Sequence, residues 1–307
     1  MKALITGGAG FIGHNAAIHL KNSGFDVAVF DNLDRPSSLA LERLAAHNIP
    51  IVKGDILSVK AISRALKNTD VVVHAAAYIS VEESVKKPAL YFKNNVIGTL
   101  NVAKACLDWN IKLLVYISSA AVYGEPTQIP ISETHPVKPS SPYGLTKLMG
   151  EEIVKFYSVS GLKYAILRLF NVYGHGQSST YAGVITKFID RVSKGLPPII
   201  YGDGEQTRDF IHVKDVSEAI KLTIEKNAVN ETFNIGSGEP TKINYLANLV
   251  IKLANLSCKP IYASPRLGDI KNSVADISKA RNLLGFKPKE SLEEELEILI
   301  KNKQEKV

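Results

Sequence analysis

The chain carries little that would mark an extracellular, membrane or metal-binding protein. Its two cysteines, Cys106 and Cys258, stand far apart and outside any metal-ligand spacing, so neither a disulfide framework nor a metal site is expected. Cys106 falls within a helical pattern and reads as a packed side chain rather than a reactive one. No apolar run approaches the roughly 20 residues that cross a bilayer. The sequence enters a strand at once with Lys2-Ala-Leu-Ile-Thr6, which leaves no room for a cleavable leader. A reducing, cytoplasmic location without a membrane partner is therefore expected. Repeats and low-complexity tracts are missing too. The net charge of +7 comes from scattered lysines, and no basic stretch is interleaved with aromatics. That pattern argues for a solvated surface and against a nucleic-acid partner, although an anionic small molecule would still gain locally.

What is present is an ordinary globular composition, 45% apolar and 22% charged over 307 residues, enough for one large α/β unit or two joined lobes. Short apolar runs at Ala3–Thr6, Asp26–Asp31, Ile51–Val52, Val71–His74, Leu113–Ser118 and Tyr164–Phe170 read as strands. Helical patterns at Phe11–Asn22, Val59–Leu66, Pro88–Trp109 and Tyr143–Ser160 lie between them. Strand–helix alternation of this kind implies a doubly wound parallel sheet that binds ligands at the carboxyl ends of its strands. After Phe170 the rhythm breaks at Gly174-His-Gly176, Gly195-Leu-Pro-Pro198 and Tyr201-Gly-Asp-Gly204. The expected organisation is a nucleotide-binding unit over 1–170 and a smaller interwoven α/β lobe over 171–307. Asp209–His212 and the helical pattern after it look like a return of 205–227 to the first unit.

The loop Thr6-Gly7-Gly8-Ala9-Gly10-Phe11-Ile12-Gly13 follows a strand and opens an amphipathic helix, the context a dinucleotide loop requires. One glycine must turn tightly, one must admit backbone to a pyrophosphate, and one must let helix and strand pack closely. The helix amino terminus then offers free N–H groups and its dipole to the phosphates. Asp31 ends the second strand, where a carboxylate can bind both adenosine-ribose hydroxyls and repel a 2′-phosphate, which favours NAD over NADP. Arg35 is the counter-indication, since a guanidinium can receive that phosphate. Asp55 either reaches the adenine edge or serves as a capping or turn residue.

Tyr143 and Lys147 lie at i, i+4 on a helix and so share one face. A tyrosine acts as acid or base only if its pKa of about 10 is brought down. An ammonium at about 5 Å in an effective dielectric of about 20 supplies roughly 3 kcal/mol, or about two pKa units. The same residues would also suit a simple helix start, with Ser141 as cap and Pro142 at the first position.

Taken in order, these segments resemble the extended short-chain dehydrogenase/reductase family, and within it the UDP-glucose 4-epimerase branch. The resemblance runs through Thr6–Gly13, Asp31-Asn32-Leu33, His74-Ala75-Ala76-Ala77, Asn94-Asn95, Ser118–Gly124, Tyr143–Lys147, Arg168–Gly174, Arg208–Val213, Phe233–Gly236 and Arg266–Asp269. It implies a Rossmann-type sheet and NAD held by Gly7, Gly10, Phe11, Ile12, Gly13, Asp31, Asn32, Asp55, Ile56, Ala75, Ala76, Ala77 and Asn95, with Tyr143 and Lys147. It further implies that Ser119 bonds the reacting sugar oxygen, Tyr143 is the acid/base, and Lys147 holds the nicotinamide ribose while lowering the tyrosine pKa. Asn171, Arg208, Arg266 and Asp269 match positions that meet the sugar or diphosphate of a UDP-hexose, and Tyr201 one that stacks on the base. His74 and His212 match strand-end positions and read as structural. A homodimer is implied through Pro88–Trp109 and Tyr143–Ser160, with apolar positions such as Val96, Leu100 and Val154.

Within that branch, the positions after Ser119 that carry acids in dehydratases are Ala120 and Ala121 here, which leaves chemistry at one carbon. The expected reaction is interconversion of UDP-glucose and UDP-galactose by reversible oxidation at C4. Ser273, at the position of a pocket gate, would also admit UDP-N-acetylhexosamines. A lysine that some epimerases place after the fourth strand is replaced by Ile79. The alternatives are a 4-epimerase of another nucleotide sugar such as UDP-glucuronate, an NADP-releasing reductase, which Asp31 disfavours, and a non-catalytic dinucleotide sensor.

Overall fold

A computed structural model describes residues 1–177, 183–265 and 270–305. Thirteen strands are described: β1 Lys2–Thr6, β2 Asp26–Asp31, β3 Ile51–Lys53, β4 Val71–His74, β5 Leu113–Ser119, β6 Tyr164–Leu169, β7 Asn171–Tyr173, β8 Ile199–Tyr201, β9 Thr207–His212, β10 Glu231–Ile235, β11 Pro240–Lys242, β12 Ile261–Ala263 and β13 Asn272–Ser273. Seven of them form one sheet in the order β3-β2-β1-β4-β5-β6-β10, and every pairing in it is parallel. The fold is thus the doubly wound α/β sheet expected. β1, β4, β5 and β6 are buried along almost their whole length, because helices cover both faces. One apolar layer packs Ala16, Ala17 and Leu20 of the helix Phe11–Asn22 against Val216, Ala219 and Ile220 of the helix Val213–Glu225. The other packs Val102 and Cys106 against Val154. Burial raises the Cys106 thiol pKa, which leaves it unreactive.

Strand order reverses at β1, so the β1 and β4 carboxyl ends frame the crevice where such sheets take ligands. The return to this sheet differs from the sequence expectation. β9 pairs with β7, β11 and β13 in a separate sheet, whereas Val213–Glu225 packs on the helix Phe11–Asn22 and β10 adds the seventh strand beside β6. β9 reads as a sheet-return strand because Phe210–His212 are buried, but it pairs outside the large sheet: Phe210 packs in the smaller lobe's core, while Ile211 packs in the apolar layer of the large sheet. That lobe's apolar core joins Ile185, Phe188, Leu246, Val250, Leu296 and Ile300 from three helices. The helical run from Pro88 is likewise divided, into Pro88–Tyr91, a π-helical segment Phe92–Ile97 and Gly98–Asp108. Val96 and Val154 are interior residues, so of the three apolar positions singled out on these helices only Leu100 reaches the surface.

Two buried histidines pin the glycine loop and the β4 end. His14 Nδ1 donates to the Gly10 carbonyl at 2.7 Å, and its Nε2 accepts from Arg43 at 3.1 Å, which requires the neutral ring. Burial, then the nearby Arg43 charge against the Gly10 bond, lowers its pKa to about 4. His74 lies between Thr6 and Thr99 at 2.7 and 3.0 Å, and burial followed by the Lys147 charge brings its pKa down to about 3. Between pH 6.5 and these values the unfolded chain binds protons that the folded chain refuses. Stability present at neutral pH is therefore lost as pH falls through that window, by roughly 3 kcal/mol for His14 and roughly 5 kcal/mol for His74. Urea titrations at pH 7 and pH 4.5 should show this loss, and His14→Gln should reduce it.

Candidate functional site

The crevice at the β1–β4 switch opens into a cavity of about 690 Å³. The glycine loop forms its floor. Gly7 has φ +69°, and a Cβ there would stand 2.6 Å from the Ala76 Cα, so only glycine lets the loops after β1 and β4 approach. A Cβ on Gly13 would run into the Gly7 carbonyl oxygen, which keeps the helix start close beneath the loop. Gly7, Gly10, Phe11, Ile12 and Gly13 all line the cavity, as do Ile56 and the β4-end residues Ala75, Ala76 and Ala77.

Asp31 and Asn32 form the opposite wall. Asp31 Oδ2 accepts from the Ala9 N–H at 2.9 Å and Oδ1 from the Leu33 N–H at 2.8 Å, which fixes the carboxylate at the strand end. Asp55 does not line the cavity, although Gly54 and Ile56 on either side do. Its Oδ1 accepts from Leu57 N in a local turn, while Ser58 caps the next helix. Asn95 also lies off the cavity and is buried. Its amide clamps Tyr78 N and O at 2.9 and 3.0 Å and reaches Thr146 at 3.0 Å, so it ties the β4 loop to the helix Pro142–Ser158. Its neighbour Asn94 is the one that faces the cavity, together with Ile79 and Arg35, and with Tyr78 and Gln177, which sequence patterns did not single out. The wide π-helical turn at Phe92–Ile97 shifts the register in which the two asparagines are presented, and no short sequence pattern announces such a turn.

The second cluster sits at the end of β5. Ser141 Oγ caps the helix Pro142–Ser158 by accepting from Gly144 N at 3.1 Å, and the buried Ser84 Oγ accepts from Tyr143 N at 3.1 Å. The Tyr143 phenol meets the Ser119 hydroxyl, whose Oγ also accepts from Ala121 N at 3.2 Å. Burial raises the Tyr143 pKa above its ordinary 10, and the Ser119 hydrogen bond opposes that rise. The lowering expected from Lys147 is therefore not the prevailing effect in the protein itself. Lys147 is buried with its Nζ 4.3 Å from the Tyr116 ring centroid, and burial brings its own pKa down to about 7 against the pull of Glu151. Desolvation penalises both charged forms more than the bare spacing argument allowed.

Beneath Lys147 lies a fully buried ion pair. Arg168 on β6 reaches Glu151 through Nε at 3.0 Å and Nη2 at 2.7 Å, and Ser118 Oγ donates to Glu151 at 2.6 Å. Arg168 also donates to Tyr123, whose hydroxyl donates to Asn234 at 2.6 Å. Tyr143, Lys147 and Glu151 thus run down one helix face, each a turn apart.

The remaining candidates lie on the two smaller sheets, Asn171 and Arg208 on β7 and β9 and Tyr201 on β8. Asn171 donates to the Asp209 carbonyl at 3.1 Å, Arg208 stands in register with Thr241 and Ser273, and Tyr201 ends β8 beside Ala263. Asp209 is buried and accepts four hydrogen bonds from Ser237, Gly238 and Ala275, which locks β9 to that lobe. Arg266 and Asp269 lie outside the described residues. Elsewhere, among the described residues, His212, Glu290 and Glu295 form one group of possible metal ligands, and the Lys214 ammonium already bridges both carboxylates. No described helix is long and apolar enough to cross a membrane.

Comparison with known proteins places these features in company. The model of the NAD dependent epimerase/dehydratase family matches residues 3–236. A UDP-glucose 4-epimerase of Lactobacillus helveticus is 35% identical over 309 residues, spanning 94% of this chain and 92% of its own. The solved structure of a Thermotoga maritima UDP-glucose 4-epimerase with UDP-glucose superposes at a TM-score of 0.94 and 36% identity, over 100% of this chain and 99% of its own. A UDP-N-acetylglucosamine 4-epimerase of Methanobrevibacter ruminantium, solved with UDP-N-acetylmuramic acid, superposes at 0.93 and 38% identity, over 100% and 99%.

Glu151→Ala strands the Arg168 guanidinium in the core. It should lower the unfolding free energy by about 3–5 kcal/mol in urea titrations. Glu151→Gln, which keeps the Ser118 contact, should further depress the Lys147 pKa, read by NMR of labelled lysine.

Proposed function

The chain belongs to the NAD-dependent epimerase/dehydratase family, and from that premise we propose that it is a 4-epimerase of UDP-hexoses that interconverts UDP-glucose and UDP-galactose. The observation that carries this reading is the Ser119–Tyr143–Lys147 cluster at the end of β5, beside the glycine-lined cavity. The glycine loop and the helix amino terminus fit a pyrophosphate, and the fixed Asp31 carboxylate fits an unphosphorylated adenosine ribose. NAD, when bound, would supply the acceptor and then the donor of the C4 hydrogen. Tyr143 takes the proton of the 4-hydroxyl and later returns it, Ser119 bonds the reacting oxygen, and the Lys147 ammonium favours the phenolate. Ala120 and Ala121 hold no proton to give or take, so loss of water lacks its acid and base.

In the same reading the smaller lobe holds the nucleotide sugar, with Arg208 and Arg266 toward the diphosphate, Asn171 and Asp269 toward sugar and phosphate, and Tyr201 against the base. Forked guanidinium donors suit a diphosphate better than point charges do. Ser273 is small and buried in register with Arg208, which supports UDP-N-acetylhexosamines as a second substrate pair. A homodimer is supported by the exposed apolar residues Leu100, Leu145, Met149 and Phe156 on the two helices that flank the site, and a cytoplasmic setting by the free cysteines.

Purified protein given UDP-galactose without added cofactor should form UDP-glucose without accumulating reduced cofactor. No product from any UDP-hexose, despite bound NAD, would instead favour the sensor reading. Tyr143→Phe should cut turnover by about 10²–10⁴-fold while leaving NAD binding intact. Absence of a C4 epimer from UDP-N-acetylglucosamine would remove the second substrate pair.

A further inference from the structure

Among the described residues that line the dinucleotide cavity, Arg35 alone carries a full positive charge. It stands on the loop after β2, close behind Asp31, where a guanidinium would be placed to receive a ribose 2′-phosphate. Its side chain is turned away from that use. Nη1 meets Glu83 Oε2 at 3.0 Å and Nη2 meets Glu83 Oε1 at 3.2 Å, a two-pronged pair. The guanidinium carbon lies 4.3 Å from the centroid of the Tyr78 ring, and Tyr78 in turn donates to Asp34 at 3.1 Å. Glu83 is itself held from behind, since Tyr91, fully buried, donates to its Oε2 at 3.1 Å. The other charges around it are Lys87 at 3.5 Å and Asp34, whose carboxylate lies 3.5 Å from Arg35 Nε.

We propose that Glu83 is a specificity residue that reserves the cavity for NAD by holding Arg35 away from a 2′-phosphate. This rests on the dinucleotide-binding reading of the cavity and deepens it. A carboxylate and a phosphate offer the same pair of oxygens to the guanidinium fork, so Glu83 occupies the face of Arg35 that a 2′-phosphate would need. Asp31 repels the phosphate by its charge. Glu83 withholds the cation that would offset that repulsion. The two acids act on one discrimination from different elements, one at the end of β2 and one on the helix Val81–Lys86 after β4.

The test is a set of dissociation constants for NAD and NADP measured by calorimetric titration on the wild type, Glu83→Gln, Arg35→Gln and the double variant. Glutamine still accepts from Tyr91, and Glu83→Asp, too short for the two-pronged contact, gives a second readout with the carboxylate kept. The expected result is that Glu83→Gln tightens NADP about tenfold with little change for NAD, and that adding Arg35→Gln removes the gain. NADP affinity unchanged in both Glu83 variants, or a gain that survives loss of Arg35, overturns the proposal. A wild-type protein that binds neither dinucleotide would instead strike the functional reading on which it rests.

Discussion

The buried pair between Glu151 and Arg168 is the constraint on which the rest of the site depends. Two charges taken out of water are tolerable only with further hydrogen bonds around them, and here Ser118, Tyr123 and the Glu133 carbonyl supply these. The pair bolts the helix Pro142–Ser158 to β5 and β6. It thereby sets the rotation of that helix, and Tyr143 and Lys147 follow from it because they lie two turns and one turn before Glu151. Its charge matters as much as its geometry. Glu151 is the carboxylate whose charge opposes the lowering that burial imposes on the Lys147 pKa.

A second set of contacts fixes the distance between this helix and the cavity. Asn95 spans from the β4 loop to Thr146, and Ser84 holds the Tyr143 backbone. Ser84 adjoins Glu83, which grips the cavity-lining Arg35. The dinucleotide wall and the acid/base residue are thus attached to the same short helix, Val81–Lys86. A site that oxidises and reduces the same carbon in turn gains from such stiffness, because both half-reactions need one geometry.

Much of this was legible in the sequence, and for local reasons. Glycines at forced positions, an acid closing β2 and a tyrosine–lysine pair at helical spacing are short-range signals, and the strand–helix alternation gives the large sheet. What escaped is long-range. Glu151 is unremarkable on its helix until β6 delivers Arg168, and Arg35 reads as a phosphate ligand until Glu83 arrives from the helix Val81–Lys86. β9 was read into the large sheet because burial is visible in a sequence whereas the partner that buries it is not. The Tyr143 pKa went the same way. Spacing gives the attraction of the ammonium, and only the folded protein shows how heavily both groups are desolvated.

The central claim is that one tyrosine-centred site removes hydrogen from C4 of a nucleotide sugar and returns it to the same carbon. UDP-galactose carrying deuterium at C4, incubated with the protein and excess unlabelled NADH, tests it by mass spectrometry and NMR of the product. The account predicts UDP-glucose with the deuterium retained at C4. Product that has lost the label to solvent or to the external cofactor would contradict it.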